Sequence, residues 1–326
     1  MTHPNEPLAA LTPHRGPRTS TRHFLRDDDL TPTEQAEVLA LAGRMKAAPY
    51  DAKPLAGPKT VGIVFDKPTL RTQASFVAGI AELGGYPMVV DGNLAKIGVR
   101  ESIADVARVL GRQASMIVWR TGDQSRIDEM AAYAGVPVVN ALTDQFHPCQ
   151  LLADLQTIAE HKGTLTGLKL TFLGDSACNM AHSFLLAGTT AGLRVTVSGP
   201  DGFEPDPEIL ARAQQIGLET GGSASYVKDP VAATTDADVV VTDTWVSMGK
   251  EDESTDRAEV FRAWQLDGAL LAHAKPDAIV LHCLPAYRGK EISAEVIDGP
   301  QSVVWDEAEN RRHAQKAILT WLLEHS

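Results

Sequence analysis

The 326-residue sequence contains only three cysteines, Cys149, Cys178 and Cys283. An odd number does not suit a disulfide framework, and none lies in a Cys-x-x-Cys pair or at zinc-ligand spacing. The scarcity argues against a disulfide-stapled secreted domain and against a cysteine-based zinc site. It predicts a reduced, cytoplasmic protein.

Long hydrophobic runs and an excess of positive charge are absent as well. No apolar run approaches the roughly 20 residues that a membrane span requires, and the first residues lack the apolar core of a signal peptide. The chain has 30 Lys and Arg against 42 Asp and Glu, a formal charge of −12. Nucleic acids and anionic membranes favour a basic face, so neither is an expected partner, and any bound anion requires a locally positive pocket.

Hydrophobic residues, in contrast, make up 44% of the chain, enough for one large core or two smaller ones. The length favours two domains. Residues 1–22 are rich in Pro, Thr and Arg without an apolar period, which predicts a disordered or loosely attached arm. The body is predicted to begin at a helix that Thr31 caps, with Pro32 in the first turn and Glu34 completing a capping box.

Short apolar runs alternate with helical patterns in two series, which predicts an α/β fold of two doubly wound parallel-sheet domains. The strands predicted for the first series are residues 61–65, 87–90, 116–119 and 136–140. Those of the second series are residues 168–173, 193–198, 224–227, 239–242 and 278–281. Apolar spacing in residues 305–323 predicts a last helix that returns to the first domain. Because ligands collect at the carboxyl ends of such strands, the active site is expected in the cleft between the domains.

Four segments place polar side chains at strand ends or helix starts. The first, residues 65–76 (F-D-K-P-T-L-R-T-Q-A-S-F), runs from a strand through a turn into a helix. The hydroxyls of Thr69 and Thr72, the guanidinium of Arg71 and the free amides of the helix start suit a phosphate group. The alternative is a capped surface helix with a solvated arginine, and this segment alone does not decide between the two.

The second segment, residues 147–150 (H-P-C-Q), opens a helix after the strand at residues 136–140. The imidazole of His147 and the carboxamide of Gln150 lie one helical turn apart and face the same way. Both can donate to a carbonyl oxygen that gains negative charge when an amine attacks. The alternative is an ordinary helix start that Pro148 shapes and His147 caps.

The third and fourth segments each follow an apolar strand. Asp243 opens D-T-W-V-S-M-G, where its carboxylate can pair with a substrate ammonium or, alternatively, cap a helix. The fourth segment, L-H-C-L-P-A-Y-R, begins at Leu281. Cys283 is either a small buried hydrophobe or part of a site, and no thiol nucleophile is implied because adjacent side chains on an extended chain point apart.

Together and in this order, the four segments resemble the aspartate and ornithine carbamoyltransferase superfamily, from about Arg22 to the end of the chain. The D-x-x-x-S-M-G and H-C-L-P motifs resemble its ornithine branch. The resemblance implies transfer of the carbamoyl group of carbamoyl phosphate to the δ-amine of L-ornithine, which gives L-citrulline and phosphate in arginine biosynthesis. It implies direct attack without a covalent enzyme intermediate, cofactor or metal, in a homo-oligomer, a trimer whose subunits share active sites.

The resemblance also implies domain bounds and residue roles. Residues 23–147 with 305–326 would bind carbamoyl phosphate, and residues 148–304 would bind ornithine. The implied catalytic residues are Arg71, Arg120, His147, Gln150, Cys283 and Arg311. Further implied contacts to carbamoyl phosphate are Thr69, Leu70, Thr72, Lys96 and Leu284. The implied contacts to ornithine are Asn179, Asp243, Ser247 and Met248.

The sequence departs from the family pattern at three places. The phosphate signature S-T-R-T-R reads T-L-R-T-Q over residues 69–73, Lys96 stands where Gln is common, and Cys178 replaces a frequent Asn. A catalytically inactive paralogue acting as a binding subunit is therefore an alternative, as is transfer to putrescine or an acylated ornithine. A dinucleotide-dependent dehydrogenase would share the alternating pattern, but G-D-S-A-C-N from Gly174 lacks the G-x-G-x-x-G spacing.

Overall fold

The computed structural model describes residues 21–67, 69–245 and 259–326. Within these residues, nine strands form two separate sheets, and every pair of neighbouring strands is parallel. The prediction of an α/β fold with two parallel-sheet domains is confirmed. No helix in the described part of the chain is long and apolar enough to cross a bilayer.

The first sheet has the strand order β2-β1-β3-β4. Its strands are β1 (Thr60–Phe65), β2 (Tyr86–Asp91), β3 (Met116–Arg120) and β4 (Val138–Leu142). The helices of this half are α1 (Pro32–Ala47), α2 (Arg71–Glu82), α3 (Gly92–Ala95), α4 (Ile103–Gln113) and α5 (Gln124–Ala134). The register pairs Phe65 with Arg120, so the turn between β1 and α2 lies beside the carboxyl end of β3.

The second sheet has the order β7-β6-β5-β8-β9. Its strands are β5 (Lys169–Leu173), β6 (Arg194–Ser198), β7 (Ser223–Tyr226), β8 (Val239–Thr242) and β9 (Ile279–Leu281). The helices that follow β4 are α6 (Pro148–Lys162), α7 (Asn179–Ser183), α8 (Pro207–Thr220), α9 (Pro230–Thr234), α10 (Gly268–Leu271), α11 (Ala294–Ile297) and α12 (Val304–Glu324). The chain order reverses between β5 and β8, and such a switch point opens a crevice at the strand ends.

Helices α6 and α12 connect the two halves. Leu152 of α6 packs in the core of the first half, whereas Leu151 and Leu155 pack in the core of the second. Along α12, Val304 joins a cluster of the second half, and Ala314 with the following apolar residues joins the first core. Each of the two helices therefore contributes side chains to the cores of both halves.

Candidate active site

A cavity of about 630 Å³ lies where the two halves face each other. It opens at the carboxyl ends of strands in both sheets, the position expected for ligands in parallel α/β folds. Eleven of the residues predicted from the sequence line it: Thr69, Leu70, Arg71, Thr72, Arg120, His147, Asn179, Asp243, Cys283, Leu284 and Arg311.

Three arginines converge on the hydroxyl of Thr72 and the segment after β9. The Thr72 Oγ1 accepts from Arg311 Nη2 at 3.3 Å and from Arg120 Nη1 at 3.5 Å. The Nη2 of Arg71 donates to the carbonyl of Leu284 at 2.5 Å. Arg71 is thus a half-buried bridge between the two halves rather than the solvated arginine of the alternative interpretation.

The arginine groups are arranged for an anion. The Nε atoms of Arg120 and Arg311 are buried and have no acceptor within the described residues. Burial, and then the charge of Arg311, lowers the pKa of Arg120 to about 10, and burial also lowers the pKa of Arg311. Buried N–H donors without acceptors cost free energy that an anionic ligand recovers, and a guanidinium binds phosphate oxygens in a fixed geometry.

His147 brings a neutral imidazole to the cavity. It is the residue before α6, its side chain caps no helix amide, and its backbone N–H donates to Ser183 Oγ at 2.9 Å. Burial holds the pKa of His147 well below 6.5, and the charges of Arg311 and Arg120 lower it further. The Nδ1 of His147 has no partner in the described part of the chain. The ring is therefore free to donate one N–H bond to a ligand, and the helix-cap alternative does not describe it.

Gln150 differs from its expected position. It does not line the cavity, because its Nε2 donates to Asp154 Oδ1 at 2.8 Å and to Glu307 Oε1 at 3.1 Å. Its Oε1 accepts from Arg311. Both amide hydrogens are therefore used, and the direct donation to a substrate carbonyl that the sequence suggested is not available in this arrangement. The carboxamide oxygen instead holds the guanidinium of Arg311 in position.

The second half supplies a carboxylate and a thiol. Asp243 follows β8, and its Oδ1 accepts from the N–H of Thr244 at 2.7 Å and from the thiol of Cys283 at 3.2 Å. Burial and the nearby Asp243 raise the pKa of Cys283 well above its usual range, so the thiol stays protonated. Asn179 opens α7 and donates through Nδ2 to the carbonyl of Thr143 at 2.8 Å. A thiol with a raised pKa supplies little thiolate, and the thiolate is the form that acts as a nucleophile.

The three remaining predicted site residues are Ser247, Met248 and Lys96. Ser247 and Met248 lie outside the described residues. Lys96 is exposed, has a φ of 49° and follows α3 at the edge of the first sheet, where it does not line the cavity of its own chain.

Several residues that line the cavity had no role in the sequence prediction, among them Lys67, Asp144 and Asp175. Lys67 Nζ pairs with Asp144 Oδ1 at 2.5 Å. Asp144 and Asp175 follow β4 and β5 by two residues, so the rule that sites form at the carboxyl ends of parallel strands is a signal that finds both. Lys67 lies within the first motif, two residues before Thr69.

Asp243, His282 and Cys283 form the one group of potential metal ligands among the described residues whose ligand atoms lie within 4.8 Å of one another. However, His282 Nδ1 accepts from the N–H of Leu284 at 2.9 Å, and its Nε2 bonds to Glu291 at 3.1 Å. Two donors then remain, fewer than the three protein ligands of a catalytic zinc site. The group is better explained as part of the cavity wall.

The fold and the cavity together define a class: a two-domain α/β protein whose cleft presents arginines from one side and a carboxylate from the other. The chain belongs to the aspartate/ornithine carbamoyltransferase family. The family's carbamoyl-P binding domain matches residues 22–160, and its Asp/Orn binding domain matches residues 166–322. The membership predicted from the four motifs is confirmed.

Individual relatives agree over nearly the whole chain. An ornithine carbamoyltransferase of Rhodococcus opacus is 57% identical over 305 residues, which cover 94% of this chain and 97% of that protein. The structure of ornithine carbamoyltransferase from Pyrococcus furiosus is 44% identical with a TM-score of 0.88, covering 92% of this chain and 96% of that one. The anabolic ornithine carbamoyltransferase from Campylobacter jejuni is 36% identical with a TM-score of 0.89, covering 94% and 100%.

Proposed function

We propose that the protein is an ornithine carbamoyltransferase that transfers the carbamoyl group of carbamoyl phosphate to the δ-amine of L-ornithine. The proposal rests on one observation, that a single cavity is lined by Arg71, Arg120 and Arg311 and by the carboxylate of Asp243. An acceptor with a second carboxylate, such as aspartate, requires cations where Asp243 lies, whereas a diamino acid is attracted to it. The names of the relatives support the same acceptor.

Carbamoyl phosphate is assigned to the arginine side of the cavity. The hydroxyls of Thr69 and Thr72, the amides at the start of α2 and the guanidinium of Arg71 suit the phosphate group. Arg120 faces the same region, since it donates to Thr72. The neutral imidazole of His147 and the guanidinium of Arg311 are then available to the carbamoyl oxygen. Donors aimed at the place where negative charge develops are the strongest contribution a protein makes to such a reaction.

Ornithine is assigned to the side formed by the second half. Asp243 suits the α-ammonium, and Asn179 stands near the expected position of the α-carboxylate. Cys283 and the carbonyl of Leu284 lie between these residues and the arginines, where the side-chain amine would reach the carbamoyl carbon.

The reaction requires the δ-amine to be neutral, although its pKa in water is similar to that of lysine, about 10.4. Nearby guanidinium groups disfavour the ammonium form. The amine nitrogen then forms a bond to the carbamoyl carbon, and the carbonyl oxygen becomes an oxyanion that Arg311 and His147 stabilise. As the carbonyl re-forms, the bond from carbon to the phosphate oxygen breaks, and phosphate leaves with the amine proton. Orientation of the two small molecules alone can contribute about 7 to 11 kcal/mol.

We infer that the protein works as a homo-oligomer, a trimer with shared sites, in the cytoplasm and in arginine biosynthesis. Strand β2 is an edge strand, and the side chains of Leu94 and Val99 after it are 79% and 84% exposed. Exposed apolar residues at an unpaired sheet edge favour contact with another chain. Lys96, which lies between them and away from its own cavity, is then available to the cavity of a neighbour.

Citrulline formation by the purified protein from carbamoyl phosphate and L-ornithine tests the proposal, with putrescine, N-acetylornithine and L-aspartate as competing acceptors. We expect ornithine to be the preferred acceptor. Arg71→Ala should lower turnover by about 100-fold or more, because one preorganised charged donor is commonly worth 10²–10³ in rate. Arg108→Ala is the matched control, since Arg108 lies exposed on α4 and pairs with Asp105. No citrulline from the wild-type protein, or full turnover by Arg71→Ala, would contradict the proposal.

A further inference from the structure

Two buried carboxyl groups lie together behind the cavity, Asp154 on α6 and Glu307 on α12. Their residues are 0% and 1% exposed, and the two side chains are hydrogen bonded to each other. Burial raises the pKa of both carboxyls. Two carboxylates in contact in a buried place do not both ionise, so the pair holds one proton and titrates as a unit.

A count of hydrogen bonds indicates which oxygen carries that proton. Glu307 Oε1 accepts from Gln150 Nε2 at 3.1 Å, and Glu307 Oε2 accepts from the backbone N–H of His282 at 2.8 Å. Asp154 Oδ1 accepts from the same amide of Gln150 at 2.8 Å. Asp154 Oδ2 is buried and has no donor in the described parts of the chain. Asp154 Oδ2 is therefore the oxygen of the pair that no donor engages, and it is open to hold the proton.

Glu307 is connected to both substrate sides of the cavity. Through Gln150 it orients Arg311, which in turn donates to Thr72 on the carbamoyl phosphate side. Through the N–H of His282 it fixes the start of the segment that carries Leu284, and the Leu284 carbonyl accepts from Arg71. One carboxylate thus sets the positions of two guanidinium groups that come from different helices.

We propose that Glu307 is a positioning residue for carbamoyl transfer, acting as a carboxylate whose partner Asp154 is held in the protonated form. The inference rests on the proposed function. Neither carboxyl lines the cavity, so both act through Gln150 and the 282–284 segment. The other charged or titratable groups near the pair are Arg311 of α12, Asp243 after β8 and Cys283 after β9. The ring of His282 is paired with Glu291 instead.

Two isosteric substitutions separate positioning from general support of the fold. Asp154→Asn removes one of the two carboxyls together with the shared proton and leaves Glu307 ionised, so we expect kcat within about threefold of wild type at neutral pH. Glu307→Gln places an NH₂ group where an oxygen accepts, so either Gln150 or His282 loses its acceptor. We expect that variant to lose about 10- to 100-fold in kcat through misplaced guanidinium groups. Glu160→Gln is the control, because Glu160 also joins α6 to α12 through Asn310.

The pH dependence of kcat at saturating substrates gives a second readout. In the wild-type protein the shared proton leaves as pH rises, two buried carboxylates then repel each other, and kcat should decline on the alkaline side. Asp154→Asn has no such proton, so its alkaline decline should be absent or moved to higher pH. Melting temperatures of all variants show which of them fold.

The outcomes are distinguishable. A wild-type protein that forms no citrulline overturns the proposed function itself. An active wild-type protein with Glu307→Gln unchanged in kcat and pH profile overturns only the positioning role, as does an equal kcat loss in both variants. Should Glu307→Gln fail to fold, Asp154→Asn decides, because an alkaline decline identical to that of the wild-type protein contradicts the proposal.

Discussion

At the residue scale, Cys283 shows how surroundings decide chemistry. It lies in the cavity wall, yet burial and Asp243 keep its thiol protonated, and the thiol donates to that carboxylate at 3.2 Å. A serine hydroxyl can make the same donation. We therefore expect Cys283→Ser to keep kcat for citrulline formation within about tenfold of wild type, because a change in one modest hydrogen bond costs no more than this.

Cys149→Ser is a suitable control for the effect of a hydroxyl in place of a thiol, because Cys149 is buried in the core of the first half. Steady-state kcat and KM for both substrates would be compared. A loss above about 1,000-fold in Cys283→Ser alone would indicate a nucleophilic thiol and contradict direct attack of the amine.

The residues of the candidate site were predictable to the extent that they follow strands. Arg120 and Asp243 stand at or next to the ends of β3 and β8, and Thr69 and Arg71 follow β1 across a short turn. The carboxyl ends of parallel strands meet at one edge by geometry alone. The hydrogen-bond partners of Gln150 were not predictable, because its amide donates to Glu307, a residue 157 positions away in the sequence. Hydrogen-bond partners supplied by tertiary contact leave no periodic signal in the sequence.

At the element scale, local patterns predicted most of the secondary structure. The capping box is confirmed, since Thr31 accepts from the N–H of Glu34 while the Glu34 carboxylate accepts from the N–H of Thr31. The nine predicted strands are present with their ends moved by up to two residues. Strand β4 begins at Val138 rather than at Val136, because Pro137 has no N–H to donate to a sheet. Apolar runs show where a strand exists but not where its pairing stops.

The ion pair at the start of α1 predicts a stability change in acid. The hydrogen bond from Arg22 lowers the pKa of Glu34 to about 2. A depressed carboxyl pKa contributes stability above the unfolded value of about 4.5, and this contribution is lost as pH falls from about 4.5 towards about 2. The unfolding free energy of Glu34→Gln should therefore be lower than wild type at pH 7, and the difference should shrink through that window.

Chemical denaturation at several pH values measures this difference. Glu219→Gln, an exposed position near the end of α8, is the control. Because Glu34 and Arg22 remain partly solvated, we expect about 1 kcal/mol or less at pH 7. A difference that grows as pH falls would show that the ion pair is not its source.

Two glycines within helices give opposite expectations. A Cβ at Gly111 of α4 would overlap the carbonyl oxygen of Ala134 at the end of α5, whereas a Cβ at Gly43 of α1 meets no atom within 4 Å. Gly111→Ala should lower the unfolding free energy by about 1–3 kcal/mol or more, because α4 and α5 must move apart. Gly43→Ala should raise it by about 0.5–1 kcal/mol through helix propensity. Denaturant titrations measure both, and equal effects would contradict the close helix contact.

At the scale of the whole molecule, the cavity depends on two helices that belong to both halves. α6 begins beside His147 and α12 carries Glu307 and Arg311, so movement of either helix changes both substrate sides at once. The apolar period predicted a C-terminal helix near the first half, and Ala314 does pack in that core. Periodicity could not show that the polar face of the same helix completes the cavity, because only tertiary contact brings Arg311 to Thr72.

The exposed edge at β2 is the surface through which copies of the chain are expected to assemble. If three copies share their sites through the edge at β2, charges introduced at this edge should dissociate the trimer. The same charges should also lower citrulline formation. Leu94→Asp combined with Val99→Asp places two carboxylates on residues that are 79% and 84% exposed, so the isolated chain should fold normally. We expect sedimentation to give about three times the 35.0 kDa chain mass for the wild-type protein and a smaller mass, with much lower citrulline formation, for the double variant.

Leu218→Asp is the matched control for this test, because Leu218 is 88% exposed but lies on α8 in the other half. Its mass and turnover should equal those of wild type, since a charge on a solvated face costs little. Unchanged mass and activity in the double variant, or full activity from a wild-type monomer, would place the functional unit within a single chain. Loss of activity in step with loss of mass would instead make the neighbour's edge part of the site, and the exposed Lys96 is a cation that this edge can offer to a phosphate.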